Sequence, residues 1–172
     1  MKIKTPTILD TSAFIHGYGV NFREKYYTVP SVKKEIRSEI NKLKYENSIK
    51  SGYLKELTPD IKHINKINNF VINEGEAGAL SLTDIHILAL AQQLKSNGIS
   101  PIVVTDDYSI QNILSILDIR HKSLTTKGIN RKVRWLIYCP GCRRNYQEFT
   151  SDKKCPICGT ELSRKPKNKA FL

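Results

Sequence analysis

The chain reads as an α/β protein with a mostly parallel sheet flanked by helices, followed by a small zinc ribbon, and three observations predict this. The run Thr7 to Asp10 is short and apolar and ends in an acid, and Pro101-Ile-Val-Val-Thr105 is a second such run, followed at once by Asp106 and Asp107. Continuous apolar character of this length is the mark of a strand buried on both faces of a parallel sheet. Between the two runs lie segments of helical period, and strands alternating with helices build parallel sheets. Near the end, all four cysteines fall in two identical CxxC spacings.

The helical segments are Ser31 to about Ile49, introduced by Pro30; Asp60 to Ile72; and Ser81 to Asn97, where Ile85, Leu88, Ala89 and Ala91 recur near helical period and Gly98 supplies the stop. Tyr27-Thr-Val29 and Leu54-Lys-Glu-Leu57 are read as one strand and one helix end, in either order. Residues 1–120 form the α/β domain. Apolar periodicity then fades, so 121–134 reads as a basic linker, 135–164 as the ribbon and 165–172 as a basic flexible tail. No internal repeat is present. No window approaches the roughly 18 apolar residues of a membrane span, and Met1 to Ile8 is polar and basic. The expectation is a cytoplasmic protein with no membrane partner.

The net charge of +12 is unevenly placed. Residues 1–120 carry 15 Lys and Arg against 13 Asp and Glu, or +2; residues 121–172 carry 13 against 3, or +10. A basic segment of this asymmetry is the footprint of a polyanion binder, because each phosphate contact releases counterions. A merely soluble tail and a membrane-surface patch are the alternatives, and no basic amphipathic helix supports the membrane.

Cys139-Pro-Gly-Cys142 and Cys155-Pro-Ile-Cys158 are separated by 12 residues. Two CxxC turns can converge four thiolates at about 2.3 Å on one tetrahedral zinc, whereas two disulfides would need an oxidising setting. Such a zinc has no open position and is structural, supplying the folding free energy that so small a core lacks. Arg143, Arg144, Lys153 and Lys154 flank the ligands, and Trp135, Tyr138, Tyr146 and Phe149 lie among them. Basic and aromatic residues mixed in this way suit single-stranded RNA. With Arg131, Lys132 and Arg134 of the linker, these cations form the candidate RNA grip. The rings also serve as a small core, the preferred reading for Trp135 and Tyr138.

Asp10 closes the first strand, Asp106 and Asp107 close a later one, Asp84 heads the Ser81 helix and Glu35 lies early in the Ser31 helix. In open parallel sheets ligands sit beyond the carboxyl ends of the strands, where these acids fall. Two carboxylates about 4 Å apart repel by about 4 kcal/mol at an effective dielectric near 20, so several in one pocket require a divalent cation or raised pKa values. Oxygen-only ligands select hard ions such as Mg²⁺ or Mn²⁺. Each acid also has a structural explanation. Asp10 can cap a helix starting at Thr11, Ser81-Leu-Thr-Asp84 fits a capping box, Asp106 and Asp107 can complement a helix N-terminus, and Glu35 and Glu39 can pair with Lys33, Lys34 and Arg37. The histidines, His16, His63, His86 and His121, show no pairing that suggests acid–base work.

Ile8-Leu-Asp-Thr-Ser-Ala-Phe14, Pro30-Ser-Val-Lys-Lys-Glu-Ile36, Leu80 to Leu90 and Val104-Thr-Asp-Asp-Tyr-Ser-Ile-Gln-Asn112, followed by the CxxC ribbon, resemble the NIN-one-binding family. These are the archaeal and eukaryotic PIN-domain endonucleases that mature small-subunit ribosomal RNA, and the resemblance spans roughly residues 5–162. The resemblance implies a catalytic quartet of Asp10, Glu35, Asp84 and Asp107 around one or two Mg²⁺ or Mn²⁺. Asp107 is preferred to Asp106 because PIN domains place the last acid two residues after the strand-ending threonine, here Thr105; Asp106 shares the role in a secondary way. Ser12 and Thr105 would orient ligands or water. The implied substrate is the single-stranded precursor beyond the mature 3′ end of the small-subunit RNA. The implied partners are the small-subunit precursor and an RNA-binding assembly factor, and the compact chain suits an archaeal source. Alternatives are a toxin-like PIN ribonuclease, a nuclease acting on DNA, and a non-catalytic RNA-binding assembly factor whose acids are only helix caps. A metal titration separates the last of these.

Overall fold

The computed structural model describes residues 5–18, 26–76, 78–125, 128 and 131–171. The first unit alternates as expected: β1 (Thr7–Leu9), α1 (Thr11–Ile15), β2 (Tyr26–Thr28), α2 (Pro30–Glu35), α3 (Glu39–Lys50), β3 (Leu54–Glu56), α4 (Ile61–Asn73), α5 (Leu82–Ser96), β4 (Ile102–Val104), α6 (Tyr108–Ile116) and β5 (Arg120–Lys122). The five strands form one sheet in the order β3-β2-β1-β4-β5, with every neighbouring pair parallel. The order runs outward from β1 in one direction and from β4 in the other. The crevice beyond the carboxyl ends of β1 and β4 is therefore the topological switch point, where open α/β sheets bind ligands.

Helices cover the sheet with faces that the apolar pattern dictates. In α4 the buried residues are His63, Ile67 and Val71, four apart and so on one stripe. The middle of α5 is buried on all sides from Ile87 to Ala91. The burial of α6 from Ile110 to Ser115 includes Gln111, Asn112 and Ser115, polar residues that must find partners. Ser81 caps α5 through a complete capping box: its hydroxyl accepts from the Asp84 N–H at 3.2 Å, and the Asp84 carboxylate accepts from the Ser81 N–H at 2.7 Å.

Four expectations are corrected. The single helix over Ser31 to Ile49 is two, because Ile36 takes an extended backbone (φ −70°, ψ 111°) and drops its side chain into the core. Glu35 thus ends a short helix rather than beginning a long one. Tyr27-Thr-Val29 and Leu54-Lys-Glu-Leu57 both contribute strands, β2 and β3. The stretch 121–134 is not simply a linker, since it completes β5 and begins β6 (Arg131–Tyr138). The tail after 165 is not free either. It forms β8 (Ser163–Phe171), which runs antiparallel along the whole of β6.

With β7 (Asn145–Tyr146), these strands make a second sheet of order β7-β6-β8. Its register shifts between Arg134 and Trp135, where Pro166 lies opposite Trp135. Proline has no N–H to give to the ladder, so an edge strand carries it most easily beside an irregularity. The ribbon's own core is small: Ile137, Cys139, Cys155 and Leu162, with Cys142, Tyr146 and Phe149 packed against it. Among the described residues no helix is long and apolar enough to cross a membrane.

Candidate active site and thiol cluster

The acids come together at the switch point, each delivered by the end of a different element. Asp10 follows β1 and is buried, 4% exposed. Its backbone N–H donates to the Val104 carbonyl of β4 at 3.1 Å, which ties the ends of the two central strands. Its Oδ1 accepts from the Thr11 N–H at 2.7 Å, and its Oδ2 accepts from the hydroxyls of Thr105 at 2.8 Å and Ser12 at 3.1 Å. Burial pushes the Asp10 carboxyl above the usual carboxylate range, these donors oppose the shift, and the nearby Glu35 charge adds to it. Glu35 itself accepts from the Thr11 hydroxyl at 2.6 Å, a hydroxyl adjacent in sequence to Asp10.

Asp84 faces Asp10 and Asp107. Burial pushes its pKa up to about 6; the Ser81 hydrogen bonds pull against this and the like charges of Asp10 and Asp107 reinforce it. Asp107 caps α6, its Oδ1 accepting from the N–H groups of Ser109 at 2.6 Å and Ile110 at 3.1 Å. The capping explanation for Asp10, Asp84 and Asp107 is thus correct as local structure, and it is what aims the three acids at one place. The surface-pairing explanation does not describe Glu35: Lys33 pairs with Glu46 and Lys42 with Glu39.

Asp106 turns elsewhere. It accepts from the N–H of Leu124 at 2.7 Å and of Thr125 at 3.2 Å, and from the Thr125 hydroxyl at 2.8 Å, clasping the loop after β5. His16, at the end of α1, stands 3.8 Å from its carboxylate, a neighbour that the sequence did not single out. Ser12 and Thr105 bridge the groups: Thr105 gives its hydroxyl to Asp10 and receives the Asp107 N–H at 3.1 Å, while Ser12 gives its hydroxyl to Asp10 and receives the Asp106 N–H at 3.1 Å.

The four cysteines lie in a cluster at the other end of the chain. All four sulfurs fall within 4.8 Å of one another, with Cys139–Cys158 at 3.3 Å and Cys142–Cys155 at 3.6 Å, and none is in a disulfide. Four thiolates on a tetrahedral zinc stand about 3.8 Å apart when the Zn–S bond is about 2.3 Å, so the cluster fits a metal of this kind. The two CxxC turns are built alike. The Arg143 N–H donates to the Cys139 carbonyl and the Gly159 N–H to the Cys155 carbonyl, both at 2.9 Å, and both donors have left-handed backbones (φ 60° and 70°). A Cβ on Gly141 would come within 2.5 Å of the Thr160 hydroxyl, so the close approach of the turns requires glycine there. Among the described residues no three acids match this closeness, and the acidic site is the wider of the two.

Of the candidate RNA contacts, Arg134, Arg143, Arg144, Lys153 and Lys154 are exposed. Arg134 lies 3.4 Å from Glu74. The side chains of Arg131 and Lys132 lie outside the described residues. Sequence reasoning missed Lys165, which β8 holds 4.6 Å above the Tyr138 ring. It also misplaced Trp135 and Tyr138, which do not join the ribbon core; Tyr146, whose hydroxyl lies 2.9 Å from the Cys155 sulfur, and Phe149 do.

The sequence profile of the PIN domain of ribonuclease matches residues 7–94, so the fold is that of a PIN-type ribonuclease. The chain is 39% identical to the endoribonuclease Nob1 of Methanothermobacter thermautotrophicus, over 92% of this chain and 91% of that protein. It is 32% identical to the endoribonuclease Nob1 of Pyrococcus abyssi, over 97% and 98%. With the 20S-pre-rRNA D-site endonuclease nob1 of Schizosaccharomyces pombe it shares 33% identity over 55% of this chain and 24% of that protein. The chain belongs to the Nob1 family of endoribonucleases. PIN nucleases depend on divalent metal ions, and the cysteine cluster could hold a metal of its own.

Proposed function

We propose that this endoribonuclease cleaves single-stranded precursor RNA beyond the 3′ end of the small-subunit ribosomal RNA, with Asp10, Glu35, Asp84 and Asp107 as its catalytic acids. The observation that carries this reading is the gathering of Asp10, Glu35, Asp84 and Asp107 at the switch point, where burial first, and the neighbouring like charges after it, raise Asp10 and Asp84 out of the usual carboxylate range. Carboxylates are arranged at such a cost where a cation or proton resolves it. All the donors there are oxygens, which suits one or two Mg²⁺ or Mn²⁺. Bound there, such an ion supplies charge neutralisation at a phosphate and a lowered pKa for a bound water.

The chain's own residues do the positioning. Thr105 and Ser12 hold Asp10 rigid, so its orientation does not have to be established when substrate arrives. The helix caps hold Asp84 and Asp107 in the same way. In-line attack of water on the phosphorus leaves a 5′-phosphate and a 3′-hydroxyl. Asp106, committed to the loop after β5, keeps a secondary, shaping role. Zinc in the thiol cluster is structural, because four sulfurs leave no open position. Arg131, Lys132, Arg134, Arg143, Arg144, Lys153 and Lys154 grip the RNA backbone. The small-subunit precursor, with an RNA-binding assembly factor on it, selects the cut. The division of labour follows the two sheets: cutting by the α/β unit, through β5, and gripping by the strands and thiol turns from β6 onward. The test is purified protein on a precursor fragment with both product ends mapped. Cleavage at the mature 3′ end that needs Mg²⁺ or Mn²⁺ is expected; metal-independent cleavage, or none, would overturn it.

A further inference from the structure

Glu76 lies in the loop between α4 and α5, is 1% exposed, and plays no part in the acidic site. Its Oε1 accepts from the Asn112 amide of α6 at 3.0 Å and from the Trp135 indole N–H of β6 at 2.7 Å. Its Oε2 accepts from the Arg164 guanidinium of β8 at 2.8 Å. One helix of the α/β unit and two strands of the second sheet thus converge on one carboxylate. Asn112 uses its remaining capacity on the β6 backbone, donating to the Val133 carbonyl at 2.7 Å and accepting the Val133 N–H at 2.8 Å, as a neighbouring strand would. Arg164 stacks over the Trp135 ring at 4.4 Å, and the bare Cα of Gly75 lets Trp135 approach, since a Cβ there would lie 3.0 Å from that of Trp135.

The loop that holds Glu76 leads into α5, which carries Asp84, and Asn112 lies on α6, whose cap is Asp107. Glu76 precedes the Ser81 cap of α5 by five residues, and Asn112 follows the Asp107 cap of α6 by five. The strands clasped by the same carboxylate, β6 and β8, carry Arg134 and Lys165, and β6 leads into the thiol cluster. We propose that Glu76 is a positioning residue that registers the basic β6–β8 hairpin against the acidic site, so that RNA held by the hairpin presents one phosphodiester to the acids. This rests on the proposed cleavage reading. A buried carboxylate with donors from three elements suits registration better than adhesion, because losing any one donor leaves a buried charge incompletely paired.

The test uses the full-length, metal-loaded protein with Glu76→Gln, Arg164→Gln and Trp135→Phe, and Arg164→Lys as the conservative variant. Exchange of the Val133 amide reports docking, and a 5′-labelled single-stranded RNA reports affinity, kcat and the distribution of cut positions. Faster Val133 exchange, RNA affinity near wild type, a kcat lower by about 100-fold and cuts scattered over neighbouring phosphates are expected, the loss that a misplacement of roughly 1 Å produces. Arg164→Lys should recover part of kcat and the single cut. If Glu76→Gln fails to fold, Arg164→Gln and Trp135→Phe carry the test. Faster exchange with unchanged kcat and a single cut would overturn registration, and unchanged exchange in every variant would overturn the latch itself. A wild type that does not cleave would count against the cleavage reading, leaving the latch to be judged on exchange.

Discussion

The α/β unit and the ribbon solve the folding problem by different means. The first buries a continuous apolar cluster, from Ile8 and Leu9 of β1 through Leu88 and Leu90 of α5 to Val103 and Val104 of β4. The second has four buried core residues, two of them cysteines. Burial stabilises at roughly 25 cal/mol per Å², so the first unit folds on area alone while the second cannot. The polar chemistry is divided in the opposite sense: the larger unit carries the buried acids, and the small thiol-bearing unit carries the cations.

The largest effect should come from removing a thiol. Metal binding in a cage of this kind contributes on the order of 10 kcal/mol, so Cys139→Ser or Cys158→Ser should disorder the ribbon, abolish stoichiometric zinc and leave the α/β unit's melting transition in place. A variant that keeps one zinc per chain would break the comparison. Next come the acids. Asp10→Asn, Asp84→Asn and Asp107→Asn each remove a charged ligand at nearly constant volume, and cleavage should fall by about a thousandfold, the several kcal/mol of charge stabilisation that a bound metal supplies. Folding should survive, because asparagine still accepts a capping hydrogen bond. Wild-type cleavage by Asp10→Asn would leave the acids as caps only.

Acidity gives a third, smaller effect. The Asp84 pKa is about 6 in the folded chain against 3.8 for the free group. The native state therefore prefers the protonated carboxyl, and the stability this provides is complete below pH 3.8 and lost as pH rises through 6. Chelated protein should become less stable across that window, Asp84→Asn should flatten the trend, and Mn²⁺ affinity should rise over the same range. Thermal melts and titrations between pH 4 and 7 check both. The smallest effect concerns the cations: replacing Arg143, Arg144, Lys153 and Lys154 with Gln should flatten the salt dependence of single-stranded RNA binding. At a log–log slope of about −0.7 per phosphate contact, losing four contacts flattens it by about 2 to 3. An unchanged slope would move the grip onto other residues, with Lys165 the first to try.

What could be read in advance follows from where the information resides. β1, β4 and the capping box of α5 announce themselves through apolar runs and local hydrogen-bonding residues, and the thiol spacing is local too. Three of the four proposed acids were legible for the same reason, as strand ends and caps. β5 and β8 were not. Arg120-His-Lys122 and Ser163 to Phe171 sit at sheet edges, where backbone pairing alone makes a strand and basic side chains suit the exposed position. Glu76 gave no sign either, because its partners Asn112, Trp135 and Arg164 lie 36, 59 and 88 residues away.

The capping arrangement of the acids has a consequence for coordination number. Asp107 commits Oδ1 to two helix N–H groups, Asp84 commits Oδ2 to Ser81, and Glu35 commits Oε2 to Thr11. Were an ion bound among them, each of these three would offer it one oxygen free of a capping bond, while both Asp10 oxygens already accept hydrogen bonds, so that chelation by both oxygens of one carboxylate would be disfavoured. An ion held by one oxygen per acid must complete its sphere with water. Mg²⁺ and Mn²⁺, octahedral and content with several waters, tolerate that; Ca²⁺, which seeks six to eight oxygens and often a bidentate carboxylate, does not. The helix caps would thus favour, at the proposed site, an ion that keeps several of its waters.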